Sequence, residues 1–404
     1  MAFDPRSGLL ALALLALPLA GCASRQDVMT PVALAAGTGG AGTVDMMVAT
    51  TRAPASDPAL MFTGERGDDL SLSNVVVSIP PDDARQKGTI QWPSPGRADP
   101  RASFLTLKAE PITESAIRPW FRRNAGDTRR VLFFVHGFNN GYADAIYRFA
   151  QVAHDLKFKA APILFTWPSR ASALDYPYDR ESATYSRFGL LLGLEKAIES
   201  PDVAEITIVA HSMGAWLTAE ALRDLGLKHG AVSPKIRTVV LASPDIDVDV
   251  FKRQVIEMGK TRPRFIVVTS RNDLALRLSR WIAGDVDRLG GADLRRRIPF
   301  LKTLGIEVID ATDTKTDDPS GHNTYAASDE VLRQLAEDMV RRQPLRIFAR
   351  IGRVPQPKPG PGASPASVRP VAVSPISSRR SRPWRRCRAP HPCRDRGSGP
   401  ASPP

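Results

Sequence analysis

Residues 205–223, EITIVAHSMGAWLTAEALR, join a short apolar run to a helical pattern through a single serine. Ile206, Thr207, Ile208 and Val209 read as a buried strand, and the spacing from Ala215 onward reads as a helix. Ser212 lies between them. A serine on a sharp strand-to-helix turn sits in a strained conformation that presents its hydroxyl at the end of the strand. Small residues are needed on both sides of such a turn, because the helix must leave close to the strand. Ala210 and Gly214 stand two positions before and two after. Glycine is the usual residue at the first of these, and alanine still lets the helix pass. The competing reading is a serine that merely caps a helix.

The surroundings of this turn set the fold class. From Arg130 the chain alternates apolar runs with helical patterns. Strands are expected at 131–135, 163–166, 206–209, 238–242, 264–269 and 307–309. Helices are expected at 142–156, 182–199, 215–225, 248–258, 274–282 and 325–341. Strands that are apolar throughout, each followed by a helix, predict a mostly parallel sheet with helices on both faces. Before this region, 44–51 and 74–79 read as strands, and 44–108 as antiparallel strands at the sheet's N-terminal edge. The fold class is therefore α/β.

On such a sheet a hydrolytic triad runs in the order serine, acid, histidine. Of the six histidines only His229, His322 and His391 follow Ser212. His391 falls in a proline-rich tail. His229 ends the serine's own helix, at the wrong end of the sheet. His322 lies in the loop DDPSGHN between the last strand and the last helix, where Pro319 and Gly321 let the chain turn back. The acid is Asp273, after the strand 264–269, or Asp245, after the strand before it. The later position favours Asp273, leaving Asp245 to line the pocket or brace a loop. The N–H groups of Met213 and Phe138 are candidates for an oxyanion hole. Gly137 and Asn139, in the loop HGFNN, are further pocket candidates, as is Trp167.

Charge and cysteine usage bound the remainder. The net charge of +13 suggests nucleic acid, but its location does not. Eleven of the 55 Lys and Arg, against one of the 42 acids, fall in residues 353–404, leaving the rest of the chain at +3. No basic stripe interleaved with aromatics remains in the body, so no nucleic-acid partner is expected. Residues 353–404 are rich in Pro and Arg and poor in aliphatic clusters, and read as disordered. The three cysteines, Cys22, Cys387 and Cys393, all lie outside the body. No Cys/His cluster has zinc spacing, so no metal or cofactor is expected. Residues 9–20 are an apolar run too short to span a bilayer, ending in Leu19-Ala20-Gly21-Cys22. That ending resembles a bacterial lipobox. Residues 1–22 are thus an expected lipoprotein signal, with Cys22 lipidated. Residues 23–43 are an expected flexible tether, and Ala23 suits an outer-membrane destination facing the periplasm.

The stretches ATTRAP (49–54), LFFVHGFNN, LFTWPSR (164–170), VAHSMG, ASPDID and TSRNDLAL resemble a bacterial α/β-hydrolase family of unknown function. Its members are described as esterase- or lipase-like and lipoprotein-borne. The likeness covers roughly residues 44–342, within an expected domain of 44–345. It implies the α/β-hydrolase fold, the roles Ser212, Asp273 and His322, and a pocket shaped by Trp167, for which core packing is the equal alternative. The expected function is hydrolysis of a small-molecule or lipid ester at the envelope, with the membrane as partner through the Cys22 anchor. An acyltransferase or amidase on the same triad, or an inactive hydrolase fold that binds a partner, are the alternatives. Residues 176–185 are expected to form a small lid-like excursion.

Overall fold

Apolar residues project to both faces of each central strand, and this builds two cores. The strands are β1 (Gly42–Pro54), β2 (Phe62–Ile79), β3 (Leu105–Pro111), β4 (Arg130–Val135), β5 (Ala161–Thr166), β6 (Glu205–His211), β7 (Ile236–Ala242), β8 (Arg264–Thr269), β9 (Ile306–Asp310) and β10 (Phe348–Arg350). The helices are α1 (Ile117–Ala125), α2 (Tyr142–Asp155), α3 (Tyr176–Tyr185), α4 (Arg187–Glu199), α5 (Met213–His229), α6 (Val248–Glu257), α7 (Leu274–Ile282), α8 (Thr324–Ala327) and α9 (Asp329–Val340). The computed structural model describes residues 27–34, 42–94, 96, 98–297, 301, 303–341 and 348–350. The expected signal with Cys22 and the expected tail at 353–404 lie outside the described residues.

In β4, Val131, Phe133 and Val135 enter one core while Leu132 and Phe134 enter the other. Phe265 and Val267 of β8 are divided from Ile266 and Val268 in the same way. Helices α1, α4, α5 and α6 cover the first face through residues such as Trp120, Leu194, Leu222 and Phe251. Helices α2 and α9 cover the second through Tyr147, Phe149, Leu332 and Leu335. Each such side chain contributes about 1.5–3 kcal/mol on burial. A strand covered on both faces has no polar side, which is why these runs read as continuous in the sequence.

The sheet has the order β10-β9-β8-β7-β6-β4-β5-β1-β2-β3. From β10 to β1 neighbouring strands run parallel, and β2 and β3 are antiparallel to their neighbours. The antiparallel edge is therefore present, and β1 joins it to the parallel sheet: it pairs antiparallel with β2, and its Met47 to Thr50 pair in parallel with Ile163 to Thr166. Strand β2 also begins well before residue 74. Its polar first half pairs Phe62 with Pro54 and Arg66 with Arg52. In that half, FTGERGDDLSLS, apolar alternation is confined to Leu70 and Leu72, and pairing with β1 extends the remainder.

Three further expectations change. The helix expected at 182–199 is two helices that meet at Ser186, the first of which, α3, spans the residues 176–185. The final helix is preceded by a separate turn, α8. Residues 27–34, expected within a flexible tether, pack on the body. Met29 is buried, the Val28 carbonyl accepts from the Thr106 and Tyr147 hydroxyls, and the Val32 N–H donates to the Thr106 carbonyl. Among the described residues no helix is long and apolar enough to cross a membrane.

Candidate active site

Four non-glycine residues with positive φ stand just beyond the C-terminal ends of four neighbouring strands. They are Asn139 after β4 (59°), Ala171 after β5 (53°), Ser212 after β6 (52°) and Ser243 after β7 (45°). Such conformations cost about 1–3 kcal/mol each and persist only where the surroundings enforce them. At Ser212 the enforcement is visible. Its N–H donates to the Ala242 carbonyl at 2.9 Å, and its carbonyl accepts from Ala215 and Asp245. A methyl group at Gly214 would stand 2.2 Å from the His136 carbonyl oxygen. One at Gly137 would stand 2.9 Å from the Ser212 Cβ. The close approach of two loops, rather than flexibility, is what requires these glycines. Ala210 is fully buried in the core beneath the turn.

His322 and Asp273 meet here, from loops 49 residues apart. The His322 Nδ1–H donates to Asp273 Oδ2 at 2.7 Å, and the carboxylate is 1% exposed. The other oxygen, Oδ1, accepts from the Leu276 N–H and so caps α7. The Leu274 N–H donates to the Ser320 carbonyl, which ties the acid's loop to the histidine's loop. The His322 main-chain carbonyl is held from the serine side, by His211 Nε2–H at 3.2 Å and by the Ser243 hydroxyl at 3.1 Å. Burial pushes the His322 pKa down, but the hydrogen bond and charge of Asp273 outweigh it and hold the ring above the usual histidine value. For His211, burial and then the neighbouring charge of His322 push the pKa well down, so His211 is a neutral brace.

Residues 113–339, more than half of the chain, match the family described as alpha/beta hydrolase of unknown function (DUF900). The chain belongs to this α/β-hydrolase family. No curated protein matches the chain. Among solved structures it is similar to an esterase from Pyrobaculum calidifontis, at 12% identity and a TM-score of 0.35, over 74% of this chain and 85% of that one. It is similar to Est1E from Butyrivibrio proteoclasticus, at 11% identity and 0.35, over 67% and 94%. It is also similar to carboxyl esterase 2 from Tuber melanosporum, at 13% and 0.35, over 83% and 98%.

In this α/β-hydrolase the loop after β4 approaches Ser212 with most of its polar groups engaged. The Asn139 N–H donates to Asp179 Oδ2 at 3.3 Å and the Asn140 N–H to the Ser169 hydroxyl at 3.1 Å. The Asn140 side chain donates to the carbonyls of Phe138 (2.7 Å) and Gly137 (3.3 Å). Among the described residues the N–H groups of Phe138 and Met213 have no acceptor. These are the two groups expected to face a substrate oxygen. His136, at the base of the loop, is fixed as a neutral tautomer. Its Nδ1–H donates to the Gly137 carbonyl, and its Nε2 accepts from the Trp167 N–H at 3.1 Å. Burial, followed by the charge of Arg52, lowers its pKa to about 3.

Trp167 and Asp245 are both held by partners outside the triad. Trp167 is fully buried. Its ring stacks on His136 at 4.8 Å and its Nε1–H donates to the His136 carbonyl, so it supports the loop from below instead of lining a pocket. Asp245 does not reach His322. It accepts from the Tyr176 hydroxyl (2.8 Å) and the Ser279 hydroxyl (2.6 Å) and pairs with Arg288 (3.2 Å). Tyr176 in turn packs edge-on against Phe138 at 5.2 Å. Among the described residues no group of three His, Cys, Asp or Glu side chains is placed to hold a metal ion.

Sequence reasoning missed Arg52, Asp179 and His211. Arg52 carried a signal, since a lone arginine in the small, apolar run ATTRAP has to find a buried partner. Asp179 stands in a run of charged residues, Asp179-Arg180-Glu181, that does not mark it as buried. His211 carried no signal, because nothing in sequence places it beside residue 322.

Proposed function

We propose that this α/β-hydrolase is a serine hydrolase that cleaves carboxylic esters. The observation that carries the reading is the 2.7 Å contact of His322 Nδ1–H with the buried Asp273 carboxylate, in a loop pinned to the residue preceding Ser212. The contact leaves Nε2 of His322 as the free base. In the reaction the Ser212 hydroxyl attacks the ester carbonyl while His322 Nε2 takes its proton. The Phe138 and Met213 N–H groups stabilise the oxyanion, each worth about 3 kcal/mol. The intermediate collapses to an acyl-serine, and the imidazolium returns its proton to the departing alcohol. Water, deprotonated by His322, then attacks the acyl-serine, and the carboxylic acid leaves as Ser212 regains its proton. The Leu19-Ala20-Gly21-Cys22 run supports a lipid anchor on Cys22 and a place in a bacterial envelope.

A fluorophosphonate probe followed by peptide mapping tests the mechanism. Modification of Ser212 in wild type, and none in Ser212→Ala, is the expected result. Wild type that neither reacts with the probe nor hydrolyses any of a panel of short and long acyl esters would overturn it.

A further inference from the structure

Two fully buried ionic groups outside the triad bracket the loop that carries Phe138. Arg52, at the end of β1, is 1% exposed, and Asp179, on α3, is 0% exposed. Arg52 Nη2 donates to the Asn140 carbonyl at 2.7 Å, and Nη1 to the carbonyls of Ser169 (3.0 Å) and Thr63 (3.1 Å). Its Nε donates to the Thr166 hydroxyl at 2.9 Å. From the other side Asp179 accepts the N–H groups of Asn139 and Arg170 and the hydroxyl of Ser169. The Ser169 hydroxyl in turn accepts from the Asn140 N–H. The guanidinium and carboxylate thus grip opposite polar groups of the same two loops. Burial lowers the Arg52 pKa to about 10, and the charge of Asp179 opposes the fall, so the guanidinium stays charged at neutral pH.

A buried charge is costly unless it is fully hydrogen-bonded, and one ion pair seldom adds net stability over an apolar pair. The physical gain from this arrangement is positional. The loop holds Asn139 in a left-handed conformation. It has no secondary structure of its own to fix the direction of the Phe138 N–H. We propose that Arg52 and Asp179 are positioning residues that, through Ser169 and Asn140, aim the Phe138 N–H at the substrate oxyanion. The inference rests on the serine-hydrolase reading above. A donor that strengthens its bond only as charge develops acts on the transition state, so its misplacement lowers kcat and leaves KM.

The test compares Ser169→Ala, Asp179→Asn and Arg52→Ala with wild type on a 4-nitrophenyl ester, with the burst amplitude counting folded sites. Ser169→Ala keeps both charges in place and removes one hydroxyl, so it reports even if a charge variant fails to fold. Val255→Ala, on the buried face of α6, controls for lost stability alone. Expected for the site variants is a kcat loss of about 10²-fold, up to the 10³-fold seen for a missing oxyanion donor. KM should stay within twofold and the acid-limb inflection unshifted, because the His322–Asp273 pair is untouched. Added guanidinium should recover at least tenfold in Arg52→Ala, and Val255→Ala should keep wild-type kcat. Site-variant kcat values per folded site within twofold of wild type would overturn the proposal while leaving the hydrolase reading standing. An inactive, unlabelled wild type would remove both.

Discussion

His211 Nε2–H donates to the main-chain carbonyl of His322 at 3.2 Å, and the two rings lie 4.7 Å apart. The residue before the serine therefore holds the loop that brings the base, although 111 positions separate them. His211→Phe keeps a ring against His322 and Tyr325 and removes the donor. One neutral hydrogen bond is worth about 1 kcal/mol, so kcat should fall roughly five- to tenfold. Because the Ser243 hydroxyl holds the same carbonyl, His211→Phe with Ser243→Ala should lose more than the product of the single losses. Single-turnover kinetics on the four proteins checks this, and strictly multiplicative losses would show that the two anchors act independently.

The two aspartates should separate by readout. Asp273→Asn removes the anion that holds the His322 Nδ1–H and should cost on the order of 10³–10⁴ in kcat, less than Ser212→Ala or His322→Ala. Asp245→Asn leaves the triad whole but takes the carboxylate from Arg288, whose side chain is 9% exposed. Its effect should appear as lost thermal stability, of about 3 kcal/mol for a broken buried pair, with kcat within tenfold of wild type. Calorimetry and steady-state kinetics on both variants decide the matter. An inactive Asp245→Asn beside an active Asp273→Asn would reverse the assignment.

The pH profile carries a sign. Neutral imidazole is the base, so kcat/KM should rise with pH through the His322 titration. Asp273 holds that titration above the ordinary value of about 6.5, against the effect of burial. In Asp273→Asn the burial remains and the anion is gone, so the inflection should move to lower pH as the plateau falls. Profiles that coincide on the pH axis would mean that Asp273 does not act through the charge of His322.

Close packing at the elbow makes an opposite prediction for two glycines. Gly214→Ala puts a methyl 2.2 Å from the His136 carbonyl oxygen and should cost at least the 1–3 kcal/mol typical of overpacking. Gly193, within α4, has nothing within 4 Å of its added Cβ, so Gly193→Ala should be neutral or stabilising by up to about 1 kcal/mol. Urea unfolding of both measures the difference, and equal stabilities would contradict the account of the turn.

For the N-terminus, Cys22→Ser should move the protein from the membrane fraction to the soluble fraction or leave the precursor uncleaved. Wild type recovered soluble and without lipid would rule the anchor out.

Local pattern alone determined much of this protein. The β-branched run before Ser212 and the small residues around it specify the turn, because few side chains fit where a helix leaves so close to a strand. The continuous apolar strands specify a sheet covered on both faces, because no other packing removes so much apolar surface from water. Chain order together with position relative to the strands brought His322 and Asp273 forward. The tertiary structure decided what depends on partners far away in sequence. It made the polar half of β2 a strand by pairing it with β1, and it seated residues 27–34 on the body. It gave Trp167 to the core, Asp245 to Arg288, and Arg52 and Asp179 to the loop after β4. The reason is common to these cases. A strand edge or a buried polar group must find a hydrogen-bonding partner, and sequence does not say which residue, a hundred positions away, the fold will bring within 3 Å.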